Sequence, residues 1–363
     1  MKKLKKVFSS LVVALGALMT LATLTNCSLF TKGGGGSTAN IFAVDSKNGN
    51  VYEIDGDSLT AATSPLISIG QNAAGEIVFN GDTGFVAVGS YKNTAPGLYY
   101  FDASSESPSA KLLGATMSAQ YVCIVSDTKG YVSSADAFGA YASAVYSFNP
   151  SKPSAGLDAA VSGFPAGVYP QDIVLAGGRI YVADNANNAV YRLNWDGDTV
   201  EAHFPASANG TTGLLSGSYD YDGDGDADSG VFVANTGGYD ANWNPLPGSI
   251  DFIPAAAASG TAVSTVISDI SVGRLAAFDD KTLVATGYSG TYLVDLSSTA
   301  PIASKVTSAG ASFGSFDVNI YDGYAYVPDG ANTIYRFSSA GNDVQTIAVG
   351  KTGEYVTNVG VRQ

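Results

Sequence analysis

The sequence predicts an all-β protein, a seven-bladed β-propeller that its C-terminal strand closes into a ring. Three observations lead to this prediction. The composition is that of strands and tight turns, and a phrase of two strands recurs seven times along the chain. In addition, the chain has one strand too many at its C-terminal end and one too few at its N-terminal end.

The composition favours strands over helices. Only 14% of the 363 residues are charged, whereas there are 43 glycines and 21 tyrosines. Glycine-rich turns between aromatic and β-branched runs are typical of β-sheet proteins. The formal net charge of −14 would repel the phosphates of nucleic acid, so we expect no nucleic-acid partner.

One phrase recurs along the chain: a hydrophobic strand, a polar turn, and a second strand that contains an aromatic residue. The clearest copy runs over residues 180–184 (IYVAD) and 190–193 (VYRL). Repeats of about 40 to 50 residues with several strands each are typical of propeller blades. A blade needs four strands, and segments 172–175 and 199–204 are candidates for the inner and outer ones around this copy. The seven copies begin near residues 41, 85, 131, 180, 231, 283 and 324.

The two ends of the chain predict how the ring closes. The first copy has no inner strand before it, while residues 354–361 (EYVTNVGV) form a strand with no blade of its own. In a ring, this last strand serves as the inner strand of the first blade and removes the open edge of the sheet. A pair of β-sandwiches or an open solenoid is the alternative, but neither explains why one end lacks what the other end has in surplus.

The start of the chain reads as an export signal. Four lysines stand among the first six residues, and residues 7–24 are nearly all apolar or small. This pattern predicts a secretory signal peptide over residues 1–26. A single membrane helix is the alternative, because about 18 apolar residues nearly span a bilayer.

Residues 24–27 (LTNC) resemble the lipobox of bacterial lipoproteins. The resemblance implies that Cys27 becomes the lipid-modified N-terminus, although Asn26 stands where the family has Gly, Ala or Ser. Residues 27–39 are glycine-rich and form a flexible tether, so that the propeller occupies residues 40–363. We therefore expect an exported protein that a lipid anchors to a membrane of the bacterial cell envelope, with the outer membrane or the cell surface as candidate sites.

The copy at residues 180–193 also resembles the repeat of the YVTN and NHL propellers, and residues 355–358 spell YVTN itself. The resemblance covers the propeller region as a pattern and implies the propeller fold. It does not imply one activity, because a fold shared by proteins with many functions does not specify any of them.

A calcium site is predicted at residues 220–228 (DYDGDGDAD). Alternating carboxylates around glycine turns can wrap a hard cation in oxygen ligands, and without a cation five aspartates would repel one another. The segment resembles the calcium hairpins of FG-GAP propellers such as integrin α subunits, and is unlike an EF-hand because Val231 stands at the twelfth position. The resemblance implies as ligands the carboxylates of Asp220, Asp222, Asp224 and Asp228 and the carbonyl of Asp226. The calcium would be structural, holding a hairpin of the fifth blade on the face opposite the ligand entrance; a solvated acidic turn is the alternative.

A second candidate site is the entrance face of the propeller, which the loops between second and third strands build. Exposed aromatic rings beside amides suit the binding of a sugar or a peptide, whereas ordinary loop packing and local turn hydrogen bonds are the alternative. The candidate residues are Tyr91, Phe138, Tyr141, Asp184, Asn185, Tyr239, Trp243, Tyr288 and Asp329.

Few residues suit catalysis. His203 is the single histidine, so imidazole acid–base chemistry and multi-histidine metal centres lack their parts. We therefore expect a monomeric, non-enzymatic envelope protein that binds a protein, peptide or glycan on one face. The alternatives are a calcium-dependent hydrolase or lactonase, with carboxylates from several blades around a metal in the channel, and a scaffold whose channel is plugged.

Overall fold

The computed structural model describes residues 40–56, 58–242, 244–298, 300–308, 311–313 and 317–362. The expected signal peptide, Cys27, the tether and Trp243 lie outside these residues. The described chain forms seven antiparallel sheets; six are made of strands consecutive in the chain, and the first also contains the C-terminal strand. These sheets are the seven predicted blades, and they are numbered here in chain order.

The first four blades contain four or five strands each. From the inner edge outward, blade 1 contains Val356–Arg362, Asn40–Asp45 and Asn50–Asp55, and the short strands Thr60–Ala61 and Ile67–Ser68 both pair with Asn50–Asp55 at the outer edge. Blade 2 contains Ala74–Asn80, Thr83–Val88, Gly97–Asp102 and Lys111–Leu112. Blade 3 contains Ala119–Ser126, Lys129–Ser134, Ala144–Phe148 and Leu157–Ala160, with a 3₁₀ turn at Pro153–Ala155. Blade 4 contains Pro170–Ala176, Arg179–Asp184, Ala189–Leu193 and Val200–Pro205.

The last three blades repeat this order. Blade 5 contains Thr211–Tyr219, Asp228–Asn235, Ser249–Pro254 and Ser264–Ser268. Blade 6 contains Arg274–Ala277, Thr282–Gly287, Gly290–Asp295, Ile302–Ser308 and Ala311–Ser312. Blade 7 contains Asn319–Tyr321, Tyr324–Pro328, Thr333–Ser338 and Gln345–Ala348.

The seven inner strands stand side by side around a central channel. Each packs against the inner strand of the next blade, and the inner strand of blade 7 packs against Val356–Arg362 of blade 1, so that the ring is complete. The loops between second and third strands, and the links from each outer strand to the next inner strand, form what we call the upper face. The turns between inner and second strands and between third and outer strands form the lower face.

The C-terminal strand closes the ring as the sequence predicts. Val356–Arg362 pairs antiparallel with Asn40–Asp45, placing Val359 opposite Ala43. Asp45, fully buried, accepts the backbone N–H of Tyr355 at 2.9 Å, and the Tyr52 hydroxyl donates to Glu354 Oε1 at 2.7 Å. Residues more than 300 positions apart thus form one sheet, whose edge is no longer open to another chain.

The hydrophobic core lies between neighbouring blades. Arg179–Asp184 is buried at five of its six positions, since sheets cover it on both faces, whereas the outer strand Val200–Pro205 alternates between buried and exposed side chains. Between blades 2 and 3, the rings of Phe85 and Phe148 lie 5.2 Å apart in one apolar cluster. Burying such a side chain contributes about 1.5–3 kcal/mol, so successive blades hold one another in place.

Tight turns link the strands within blades. Between the first two strands of blade 4, Gly177 and Gly178 have φ angles of 54° and 74°. A two-residue hairpin turn with positive φ at both positions matches the twist of its strands and favours glycine. The described part of the chain has no helix with the length and hydrophobicity to cross a membrane.

Candidate binding face and central channel

A cavity of about 280 Å³ opens at the upper face over blades 2 and 3. Two of the predicted ligand-face residues, Tyr91 and Phe138, stand at its rim and are 52% and 74% exposed. Their rings stack with centroids 6.3 Å apart and planes 28° from parallel. Tyr121 and Tyr169 line the same cavity, which is therefore bordered by four aromatic rings.

Asp136 holds the two rim residues in place. This buried carboxylate accepts the backbone N–H of Phe138 at 3.1 Å and the hydroxyl of Ser90, the neighbour of Tyr91, at 2.8 Å. It also accepts the N–H of Tyr141, another predicted candidate, at 3.0 Å. Burial alone would raise the pKa of Asp136, but these hydrogen bonds outweigh it and hold the pKa below its usual value. The loops of blades 2 and 3 are thus joined by one ionised side chain.

Three other predicted candidates form local turns. Asp184 is fully buried and accepts the N–H of Tyr169 at 2.9 Å and the side-chain amide of Asn187 at 2.6 Å. Asn185 donates its backbone N–H to the carbonyl of Tyr169. Asp329 accepts the N–H of Ala331 at 2.7 Å. The contacts of these residues are therefore those of the alternative expectation, in which Asp and Asn form hydrogen bonds within turns.

Tyr239 and Tyr288 belong to a second aromatic area of the upper face, over blades 5 and 6. Both are more than half exposed, and Tyr355, which directly precedes the closing strand, is 45% exposed. Burial raises the pKa of the Tyr288 phenol, and the nearby phenols of Tyr239 and Tyr355 raise it further. The upper face therefore carries its candidate rings in two separate groups.

A charged cluster crosses the channel below the upper cavity. The guanidinium of Arg274 contacts three carboxyl groups from three other blades: Nη2 lies 2.8 Å from Glu76 Oε1, Nη1 lies 2.5 Å from Asp172 Oδ2, and Nε lies 3.4 Å from Asp317 Oδ1. Its carbon Cζ lies 4.8 Å from the ring centroid of Tyr121. All four charged residues are buried. Glu76 also lines a lower cavity of about 230 Å³, so the cluster stands between the two ends of the channel.

The cluster ties all seven blades together. Glu76 of blade 2 accepts the N–H of Val122 in blade 3. Asp172 of blade 4 accepts the N–H of Leu214 in blade 5 at 2.9 Å, and Asp317, just before the inner strand of blade 7, accepts the N–H of Val359 in blade 1 at 2.8 Å. Arg274 of blade 6 joins the three pairs. Every acceptor named here has a donor, which is the condition for burying charge without a large penalty.

The cluster contains three carboxyl groups but only one guanidinium, so its acidic groups outnumber its basic group. Burial raises the pKa of Glu76 to about 8; Arg274 opposes this shift, and the neighbouring Asp172 adds to it. Burial raises the pKa of Asp172 as well. The carboxyls around Arg274 hold its pKa well above its ordinary value despite burial. Burial therefore shifts Glu76 towards its neutral form, while Arg274 stays charged.

Sequence reasoning did not single out these channel residues. Asp172 was predicted only as part of the inner-strand segment 172–175, and Glu76, Arg274 and Asp317 were not among the candidate residues. The usable signal is a charged residue directly before an apolar run at the start of an inner strand, as in Glu76-Ile77-Val78-Phe79 and Asp172-Ile173-Val174-Leu175. Inner strands face the channel, so such a residue is buried and needs a partner from another blade.

The predicted calcium loop joins the first two strands of blade 5 on the lower face, where the sequence put it. Oxygens of Asp220, Asp222 and Asp224 lie within 4.8 Å of one another. Calcium ligands at 2.3–2.6 Å from the ion can be about 5 Å apart, so these three residues fit the ion. Asp226 donates its N–H to Asp224 at 2.9 Å, and Asp228 pairs with Tyr219 in the strand. Neither belongs to the group of three.

Comparison with solved structures supports the fold. A protein of unknown function from Desulfotomaculum acetoxidans superposes with a TM-score of 0.59 at 14% identity, covering 89% of this chain and 99% of that one. A chain of a nidogen/laminin complex gives 0.51 at 10% identity, covering 90% and 99%. The computationally designed protein Ika8 gives 0.53 at 10% identity, covering 94% and 91%. At these identities the likeness concerns the fold alone.

Sequence comparisons add no family. No protein-family model matches the chain, and no curated protein matches it. The arguments for function therefore come from the geometry of the channel and its two faces.

Proposed function

We propose that this protein is a non-enzymatic binding module of the bacterial cell envelope, which takes a protein, peptide or glycan ligand on the upper face of its propeller. One observation carries the proposal: the stacked, exposed rings of Tyr91 and Phe138 border a cavity at the channel mouth. Monomeric proteins seldom leave large aromatic side chains together at a concave site without a binding role.

The polar lining of the cavity supports the same function. Gln120 and Asn358 bring side-chain amides to the cavity wall beside the rings. Gln120 is itself anchored, because its amide nitrogen donates to the carbonyl of Ala135 at 2.9 Å. A ligand pocket usually combines aromatic rings, which supply contact area, with a few fixed polar groups, which orient the ligand.

The alternative, a calcium-dependent hydrolase, needs channel carboxylates that are free to hold a metal. Three carboxyl groups from different blades do converge in the channel, but Arg274 contacts each of them. The guanidinium thus takes the central position that a bridging cation would occupy. For this reason we place the binding module first.

The remaining parts of the proposal come from the sequence. Cys27 and the tether would hold the propeller at a membrane, and the resemblance to YVTN and NHL propellers agrees with the propeller fold without adding an activity. The FG-GAP-like loop would hold a structural calcium ion, for which the spacing of Asp220, Asp222 and Asp224 gives support. The ion would fix the hairpin of blade 5 on the lower face.

Binding can be tested by screening the full-length protein against an array of bacterial envelope oligosaccharides and a displayed random-peptide library. A double variant, Tyr91→Ala with Phe138→Ala, should lose the ligands that the wild type selects. The matched control is Trp195→Ala, which removes a ring that is 71% exposed in a lower-face turn. If the double variant keeps these ligands and Trp195→Ala loses them, the ligands bind at the lower face and the proposal is wrong.

Lipidation can be tested by mass spectrometry of the protein from membranes of an expressing bacterium. We expect an N-terminal peptide that begins at Cys27 and carries a diacylglyceryl group, and a Cys27→Ala variant that leaves the membrane fraction. An unprocessed N-terminus, or a peptide in which Cys27 is joined to Cys123, would contradict the anchor, because the lipid occupies the Cys27 sulfur.

A further inference from the structure

The upper cavity brings together the groups that recognise an organic cation. Tyr91, Tyr121, Phe138 and Tyr169 present aromatic rings, and Asp136 supplies a carboxylate whose pKa is held low. Among the described residues that line the cavity, none is Lys, Arg or His. The faces of aromatic rings carry negative potential and attract ammonium groups, and a nearby carboxylate adds to that attraction.

The rings already bind cations of the chain itself. Lys92 at the rim places Nζ 4.9 Å from the centroid of Tyr91, and Arg274 lies below Tyr121 at 4.8 Å. Both distances are within the range of a cation–π contact, which is about 6 Å. Since three carboxyl groups offset the charge of Arg274, this residue does not make the channel mouth positive.

The cavity has the size of a small site. Its volume of about 280 Å³ is near the lower limit for ligand pockets, which is about 300 Å³. It cannot enclose a whole oligosaccharide or peptide, but it has room for one terminal group of a ligand, such as an alkylammonium group. The charge of Asp136 also acts on Tyr169, another ring of the cavity. Burial raises the pKa of the Tyr169 phenol, and the nearby Asp136 carboxylate raises it further.

We infer that the upper cavity is a subsite for an alkylammonium group of the ligand, which the rings of Tyr91 and Phe138 contact and the charge of the Asp136 carboxylate attracts. This inference rests on the proposed binding function and specifies the chemistry that the face selects. The group could come from a lysine side chain of a peptide or from a small quaternary amine, and the chemistry that holds it is the same.

The test measures binding of matched probes to the full-length protein by calorimetry. Choline is compared with 3,3-dimethylbutanol, in which a carbon replaces the charged nitrogen. Lysine amide acetylated on its α-nitrogen, which keeps the side-chain ammonium, is compared with the norleucine amide acetylated in the same way. We expect the charged member of at least one pair to bind and its neutral partner to bind at least about tenfold more weakly. Preference for choline would indicate a small quaternary amine, and preference for lysine amide a peptide side chain.

Variants separate the ring face from simple hydrophobic contact. Phe138→Leu keeps an apolar side chain but removes the π-system, so we expect binding to weaken about three- to tenfold, while Phe138→Tyr retains it. Lys92→Met removes the competing ammonium at the rim and should tighten binding. Weaker binding of the charged probes in Lys92→Met would overturn the inference, because removal of a competing cation should not weaken a site that attracts cations.

The remaining outcomes also decide the question. Equal binding of charged and neutral probes that Phe138→Ala abolishes would overturn the ammonium subsite and leave the binding function standing. No binding of any probe would also overturn the subsite, while the oligosaccharide and peptide screen judges the binding function separately.

Discussion

Arg274 Nη2 and Glu76 Oε1 lie 2.8 Å apart across the channel, although 198 residues separate them in the chain. This hydrogen bond joins blade 6 to blade 2, and through the N–H of Val122 the cluster reaches blade 3 as well. In a propeller each blade otherwise contacts only its neighbours. The cluster around Arg274 is therefore the one described set of contacts that reaches every blade at once.

Replacing Arg274 with methionine should strongly destabilise the fold. The change leaves three buried carboxyl groups without their cation, and breaking a buried pair in this way costs about 3–5 kcal/mol. Urea unfolding followed by circular dichroism measures the free energy. Arg274→Lys should be intermediate, because one ammonium cannot make three directed contacts.

The matched control for this change is Arg179→Met. Arg179 contacts Glu201 at 3.0 Å on the outer part of blade 4, and a pair near the surface contributes about 1 kcal/mol or less. A loss of stability in Arg274→Met no larger than in Arg179→Met would show that the channel cluster does not hold the blades together.

Glu76 should make stability fall as the pH rises. Burial raises the pKa of Glu76 to about 8 in the folded protein from an ordinary value of 4.5, so between these values the folded state holds a proton that the unfolded chain has released. Stability then decreases with pH by up to about 1.4 kcal/mol per unit. Glu76→Gln cannot titrate and should show a flatter profile between about pH 5 and about pH 8, measured as the melting temperature.

Glu106→Gln is the control for the pH profile, since Glu106 is an exposed glutamate in the loop between the third and outer strands of blade 2. Its slope should match that of the wild type. If Glu76→Gln and the wild type have the same slope, Glu76 is ionised in the folded protein and the description of the cluster is wrong.

Asp45→Ala should weaken the closure of the ring. Asp45 accepts the N–H of Lys47 at 3.0 Å, the side-chain amide of Asn48 at 2.8 Å and the N–H of Tyr355 at 2.9 Å. Losing hydrogen bonds to a buried carboxylate costs about 2–4 kcal/mol. Asp295→Ala is the control, because Asp295 makes the same kind of local turn with Ser297 but is exposed and belongs to blade 6. Thermal unfolding should show a lower midpoint for Asp45→Ala, and equal midpoints would contradict the role of Asp45.

Calcium should stabilise the protein through the lower-face loop. A ligand that binds the folded state adds about 2.7 kcal/mol at a hundred times its dissociation constant, so calcium should raise the melting temperature. The double variant Asp222→Asn with Asp224→Asn should lose this rise. A second pair, Asp279→Asn with Asp280→Asn, alters two exposed acids in the corresponding turn of blade 6 and should keep it.

The two calcium results have different meanings. A calcium effect that the Asp222 and Asp224 variant abolishes places one structural ion in blade 5. An effect that survives in that variant would place the cation elsewhere, and the carboxylates in the channel would then support the hydrolase alternative.

The sequence by itself determined the number of blades and the closure of the ring. Both depend on local patterns: the period of the two-strand phrase, and the unmatched strand at residues 354–361 that becomes Val356–Arg362. It also determined the place of the acidic hairpin, because a loop between consecutive strands keeps its position in the blade. These features were predictable because the residues that define them are neighbours in the chain.

Only the tertiary structure decided which side chains meet in the channel. Arg274 and its three carboxyl partners come from four blades. Nothing in the local sequence around these residues indicates that one guanidinium contacts three acidic side chains. The same holds for Tyr91 and Phe138, which the sequence placed on one face, although only the ring geometry makes them stack. Contacts between blades depend on the angle and register of seven packed sheets, and these are set by the whole ring rather than by any one strand.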